Sequence, residues 1–309
     1  MARTVIGSGM YVLDQIVLRD YPEGARNLRN FTERVAVEEV GGTCGNVMCM
    51  MAHLGWKAFP QVSLDESAQG LKMAEDLRHY GCDTRFVTND ANGGATLLRC
   101  THKLDKEGKH KISFYATATD GGRFPKHHFL RARDEAPEFL GALDFVPDVY
   151  FFDVDAPGHR AIAKELRQRG SLVYFEPEKT DRMTFYNCIE LSDIIKFSNV
   201  NVPDVSFVER YPGKLFIQTM GADGVRFFWK GQWTTVPPVP CENVVDWEGA
   251  GDWTTSAFLT NLLDDSYRPG DFSTLTTERI AEALAKAQAV ASKSIGYLSS
   301  KGIIHAGQI

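Results

Sequence analysis

Asp246-Trp247-Glu248-Gly249-Ala250-Gly251-Asp252 stands between a strand-rich region and an apolar, helix-like run from Trp253 to Leu263. Gly249 and Gly251 carry no Cβ, so the chain can turn sharply there and bring its backbone close to a ligand. The amides that open the following helix have no partners within it. Such a turn seats a phosphate or a developing anion, and Asp252 sets a carboxylate beside that seat. An anion hole next to a proton acceptor is what phosphoryl transfer to a hydroxyl requires. A purely structural helix start, with Asp252 as a first-turn acid, is the competing reading of this segment alone.

Outward from this turn, strands and helices alternate. Thr4–Ser8 reads as a first strand. In Asn46–Leu54 the apolar residues Val47, Met50, Met51 and Leu54 recur at helical spacing, and Gly55 follows as a stop. Ala68–Tyr80 repeats the pattern. Val149–Val154, Leu172–Glu176, Ile194–Phe197 and Leu215–Gln218 are short apolar runs, with a helix at His159–Gln168 between the first two. This alternation predicts an α/β fold with a central, mostly parallel sheet whose ligands bind beyond the carboxyl ends of the strands. Two regions depart from it. Val12–Val40 is polar and strand-like, with a turn signal at Tyr21–Gly24. Residues 95–119 read as two strands, Thr96–Lys103 and Lys109–Ala116, around Asp105–Gly108. They are expected either to pair as a small sheet that lids the strand ends or to form two surface hairpins.

Other segments share the character of the 246–252 turn. Asp14 closes Gly9-Met10-Tyr11-Val12-Leu13-Asp14. Gly41-Gly42-Thr43-Cys44-Gly45-Asn46 precedes a helix, and Thr219-Met220-Gly221-Ala222-Asp223-Gly224 follows a strand. An early Asp, Gly-Gly-x-x-x-Asn, Thr-x-Gly-x-x-Gly and Asp-x-x-Gly-Ala-Gly-Asp, in that order, resemble the ribokinase-like (PfkB) family of carbohydrate kinases over nearly the whole chain. The resemblance implies a three-layer α/β/α fold with a β lid, here one domain over residues 1–309 with lid segments near 12–40 and 95–119. It implies ATP and Mg2+ as cofactors and a small sugar, sugar acid or nucleoside as acceptor. Asp14, Gly41, Gly42 and Asn46 would hold the acceptor. Gly249, Ala250 and Gly251 would form the anion hole, and Asp252 would be the base. Ser198, Thr219, Gly221, Gly224 and Asp246 would line the nucleotide site. Asp246 and, through water, Asn201 would place the cation.

The sequence departs from the family pattern at four places. Trp247 and Glu248 replace small or hydroxyl residues, Trp253 follows Asp252, and Asn201 stands where many members carry a Glu. Glu248 is a candidate for restoring the lost charge, and Trp247 or Trp253 for narrowing a substrate channel. These departures favour a rival reading, a catalytically silent sugar- or nucleotide-binding regulator. A nucleoside kinase is a second rival, with Tyr11 or Phe31 as a surface for the base. No Arg or Lys cluster beside Asp14 or Asn46 argues for an acidic sugar, which points to a neutral one.

The chain of 309 residues, 43% hydrophobic and 24% charged, has ordinary globular composition. Its net charge of −6 argues against a nucleic-acid face. No run approaches the length of a membrane span, and the N-terminus lacks a signal-like apolar stretch. Six scattered cysteines, none in a C-x-x-C pair, read as free thiols in a reducing cytoplasm. The histidines show no metal-ligand spacing, and each reads as a surface or satisfied residue. An exposed lid edge would suit a homodimer.

Overall fold

The computed structural model describes residues 2–23, 28–89, 93–104, 109–118, 135–177, 183–264 and 269–309. Gly24 of the first turn signal, the whole of Asp105–Gly108, position 119 and His127-His128 lie outside these residues. In chain order the elements are β1 (Thr4–Ser8), β2 (Val12–Asp20), β3 (Thr32–Gly41), α1 (Thr43–His53), β4 (Lys57–Leu64), α2 (Ala68–His79), β5 (Val87–Asn89), β6 (Thr96–Leu104) and β7 (His110–Ala118). Then follow α3 (Glu135–Ala142), β8 (Val149–Phe152), α4 (Pro157–Gln168), β9 (Leu172–Phe175), α5 (Met183–Leu191), β10 (Ile194–Ser198) and β11 (Leu215–Thr219). The chain ends with β12 (Val225–Trp229), β13 (Gln232–Val236), α6 (Ala250–Leu262), α7 (Thr277–Ser294) and α8 (Gly302–His305).

The main sheet has the order β13-β12-β11-β10-β9-β8-β1-β4-β5. Every pairing from β11 to β5 is parallel; β12 and β13 add an antiparallel edge. Strands covered on both faces need apolar residues at every position, and Val149–Phe152 and Leu172–Phe175 are buried throughout. Successive side chains serve opposite layers. Phe151, Tyr174 and Ile217 pack under α1, α2, α6 and α7. Phe152, Phe175 and Phe216 pack under α3, α4 and α5. The result is the expected three-layer α/β/α fold.

The regions that broke the alternation form a separate four-stranded sheet, β3-β2-β6-β7. β2 runs antiparallel to β3 and parallel to β6, and β6 runs antiparallel to β7. Period-2 alternation puts Val12, Asp14 and Ile16 of β2, and Thr96, Leu98 and Cys100 of β6, along one cavity. The pairing resolves the choice between a lid sheet and two hairpins in favour of the sheet. Trp229 and Trp233 lie on adjacent strands but opposite faces. Trp229 donates to Leu275 O at 3.1 Å, while Trp233 packs on Phe228 with ring centroids 5.5 Å apart. All six cysteines are free, and among the described residues no helix is long and apolar enough to cross a membrane.

Candidate active site

Gly249 caps α6 in the left-handed region at φ 78. A Cβ there would lie 2.4 Å from Cβ of Ser300, so both conformation and space require glycine. The turn puts Asp252 in the first turn of α6, 8% exposed and facing a cavity of about 340 Å³. That volume suits a small molecule, since ligand pockets span roughly 300–1,000 Å³. The Ala250 amide is partly used, donating to Trp247 O at 3.3 Å. The amides of Gly251 and Asp252 have no acceptor among the described residues, as the first turn of a helix leaves them.

A second helix start meets the first. Gly42 caps α1 at φ 78, and a Cβ there would lie 2.7 Å from Met10 O. Gly41 makes room for Asp14: a Cβ on it would fall 1.7 Å from Asp14 Oδ2. The side chain of Asp153 ties the turn between β1 and β2 to the start of α1, accepting from the amides of Met10 at 2.8 Å and Cys44 at 2.9 Å. The cavity therefore lies between the inner face of the lid and the converging N-termini of α1 and α6. Of the sequence-predicted site residues, Asp14, Gly42, Asn46, Gly249 and Asp252 line it.

Asn46 links the two halves of the site. Its Nδ2 donates to Asp252 Oδ2 at 2.7 Å, and its Oδ1 accepts from Ser300 Oγ at 2.9 Å and Lys301 Nζ at 2.6 Å. Lys301 is fully buried and lies 3.6 Å from Glu39 Oε1. It is a single cation beside Asn46, which the sequence pattern did not reveal, and not an Arg or Lys cluster. Burial opposes the Lys301 charge, but Glu39 and the nearby carboxyls hold its pKa above the usual lysine value. Burial acts against ionised Glu39 too. Lys301, with His305 and Tyr80, outweighs it and brings Glu39 down to about 2.

Three other carboxyls move the opposite way. Burial, aided by Glu176, pushes Asp252 up to about 7 against the pull of Lys196, Asn46 and Lys301. Burial does the same to Asp14, with Lys301 opposing and Glu39 assisting. Glu248 reaches about 7 through burial and the neighbouring Asp246, Asp252 and Asp14. A carboxyl near neutrality is matched to proton transfer at physiological pH.

Asp246 is placed differently. It is fully buried, accepts from the amides of Glu248 at 3.0 Å and Ser299 at 3.1 Å, and lies 3.4 Å from His102 Nε2. It holds the turn and does not line the cavity. Ser198 and Thr219 pair across β10 and β11 at the carboxyl end of the sheet, and the Gly221–Gly224 turn continues from Thr219. Ser198 Oγ accepts from the exposed Asn201 amide at 3.1 Å. These residues lie outside the cavity, as do Gly41, Ala250 and Gly251. Among the described residues there is no group of three or more His, Cys, Asp or Glu that could hold a metal ion.

Trp253 corrects another expectation. It is fully buried against Met50, Ala291 and Ile303, and its Nε1 donates to Ser300 O at 2.8 Å. It is a core residue that supports the site from behind. Trp247 is 46% exposed and does not line the cavity. Sequence reasoning missed Glu39, Lys196, Ser300 and Lys301. Lys196 Nζ lies 2.5 Å from Glu176 Oε1 and 3.1 Å from Gly251 O, directly behind the glycine turn. Glu39 and Lys301 each stand next to a signal that could have drawn attention to them: the Gly41-Gly42 pair and the glycine of Lys301-Gly302.

Residues 184–305 match the model of the pfkB family carbohydrate kinases. No curated protein matches the sequence at a significant level. Among solved structures, the chain is similar to a fructokinase with bound ATP from Xylella fastidiosa, at 16% identity and a TM-score of 0.72, covering 97% of this chain and 94% of that one. A ribokinase from Arabidopsis thaliana complexed with ribose and ATP matches at 18% identity and a TM-score of 0.68, over 100% of both chains. A nucleoside kinase from Burkholderia thailandensis in complex with inosine matches at 17% identity and a TM-score of 0.64, over 96% and 92%. The chain thus has the ribokinase-like fold along its length, and the family that its residues 184–305 match is that of the pfkB carbohydrate kinases.

Proposed function

We propose that the protein is an ATP-dependent phosphotransferase that phosphorylates a hydroxyl group of a small sugar or related polyol. The observation that carries this reading is Asp252. Its carboxyl faces the cavity one residue after Gly251, and the amides of Gly251 and Asp252 have no acceptor among the described residues beside it. The ribokinase-like fold, the family match and the ATP-bound relatives support the same reading.

In this mechanism the acceptor lies between the lid and α1, with Asp14 and the free hydrogen of Asn46 Nδ2 toward its hydroxyls. ATP supplies the phosphoryl group, which the amides at the start of α6 receive as charge builds on its oxygens. Asp252 orients the attacking hydroxyl and takes its proton late, since an alcohol is too weak an acid to be ionised beforehand by a carboxylate. Asn46 holds Asp252 in place through its 2.7 Å bond. The lid lowers water content around the transfer and so suppresses ATP hydrolysis. Ser198, Thr219, Gly221 and Gly224 are assigned to the nucleotide from their place beyond β10 and β11. Asp246, with its oxygens engaged, and the neutral Asn201 do not form a protein cage for Mg2+. Such an ion commonly travels on the nucleotide phosphates with several waters.

The test is ADP formation with ATP over ketoses, aldoses, sugar acids and nucleosides. Turnover on a sugar or polyol is expected. Turnover confined to nucleosides would reassign the acceptor, and ligand binding without turnover on any acceptor would make the protein a regulator on this fold.

A further inference from the structure

We propose that the preferred acceptor carries a protonated amine, as in an amino-deoxy sugar, and that Asp14 and Glu248 hold this ammonium group while a hydroxyl of the same molecule meets Asp252. The inference rests on the phosphotransferase reading and names its acceptor class.

Among the described residues four acids line the cavity, Asp14, Glu39, Glu248 and Asp252, and no Lys, Arg or His does. The basic side chains behind its wall are already engaged. Lys301 pairs with Glu39 at 3.6 Å, Lys196 with Glu176 at 2.5 Å, and His102 lies 3.4 Å from Asp246. Asp252 has Asn46 and its catalytic task. Asp14 and Glu248 remain, with no cation within ion-pair distance among the described residues. The N-termini of α1 and α6 contribute only partial positive charge. Burying carboxylates without a counter-charge is unfavourable, and burial, with repulsion of Asp14 by Glu39 and Asp246 and of Glu248 by Asp246, Asp252 and Asp14, weakens their acidity.

A second observation points to a ligand rich in donors. Asp14 Oδ1 and Ser299 Oγ are buried with no hydrogen-bond partner, and both residues line the cavity. Ser299 is 3% exposed and sits at φ 73, a conformation that side-chain-bearing residues rarely adopt. An ammonium group has three donors and no acceptor, which matches two carboxylates and a hydroxyl oxygen. A metal ion is a poorer match, because no metal-binding group of three or more such side chains exists among the described residues. Glu248 also stands where small or hydroxyl residues are usual in the family this chain resembles, so the feature belongs to this chain's own specificity.

The experiment compares ATP turnover on 2-amino-2-deoxyglucose, 2-amino-2-deoxygalactose and 1-amino-1-deoxyfructose with turnover on glucose, galactose and fructose. The N-acetyl derivatives, which keep the nitrogen but lose its charge, serve as controls. The expected result is a kcat/KM on the order of tenfold or more higher for at least one amino sugar than for its parent and its N-acetyl form. Glu248→Gln should cut that ratio by a similar factor. Turnover with parent sugars equal to or better than the amino sugars would overturn the inference and leave the phosphotransferase reading intact. Turnover on none of these sugars, with none on the sugar acids and nucleosides either, would overturn both. The wild-type comparison of amine with N-acetyl form decides the matter even if the variant fails to fold.

Discussion

Asp252 is a buried acid that has to be ionised to accept a proton. With its pKa pushed up to about 7, mainly by burial and then by Glu176, it is largely protonated in mildly acidic solution. The value of kcat/KM should therefore rise with pH through about 7 and level off above it. The sign follows from the role: a base works only in its charged form, and burial delays that form to higher pH. Asp14 and Glu248 titrate in the same range, so the limb belongs to the group of carboxyls. A flat profile between about pH 5.5 and 8.5 would contradict the assignment. At this scale the sequence drew attention to Asp252, Gly249 and Asn46, which the fold brings to one cavity, because a glycine turn with an acid beside it stands out even though a plain helix start reads the same way. The bond from Asn46 to Asp252 spans 206 positions, and no local pattern encodes it. Lys301 carried only the weak signal of the glycine after it. A lysine near the C-terminus reads as surface until the fold buries it against Asn46 and Glu39.

At the scale of elements, α6 does two jobs. Its first turn presents Asp252 to the cavity, and Trp253 anchors it to Met50, Ala291 and Ile303. Trp253→Ala should cost about 3–5 kcal/mol in urea or guanidinium unfolding, through the void it leaves and the lost bond to Ser300 O. A change under about 1 kcal/mol would show that the ring is not part of the core. The strands were legible because apolar runs bounded by turn signals leave little choice. Thr4–Ser8 occurs with the boundaries read from sequence. α1 starts at Thr43, three residues before the expected Asn46, because Gly42 rather than a polar side chain caps it. The direction of Trp253 was not legible. On a helix that is buried on nearly every face, one residue beside the acid points inward or toward the site with equal ease.

At the scale of the whole molecule, the lid is tied to the body by a buried ion pair. Glu39 at the base of β3 meets Lys301 just before α8, with Tyr80 OH at 2.5 Å from Glu39 Oε2. Lys301→Met would leave Glu39 buried beside only a histidine and a phenol. Removing one partner of a buried pair typically costs about 3–5 kcal/mol, so chemical denaturation should show a loss of that size, and an unchanged midpoint would refute the tie. Among the described residues β7 is one of the two edge strands of the lid sheet, with Phe114 50% and Tyr115 67% exposed. A sheet edge with bare aromatic rings is a natural pairing surface. The proposed homodimer through the lid predicts a two-chain mass in sedimentation equilibrium, shifted toward one chain by Phe114→Glu with Tyr115→Glu. A monomer at every concentration would remove the dimer from the account.

The central claim is that Asp252 and the amides beside it carry phosphoryl transfer to an acceptor in the cavity. The most direct measurement is acceptor-dependent ADP formation by wild type and by Asp252→Asn, with the dissociation constant for ATP determined for both. The account predicts a fall in turnover of roughly 10²–10⁴-fold with ATP affinity changed little. Undiminished turnover in Asp252→Asn would contradict it.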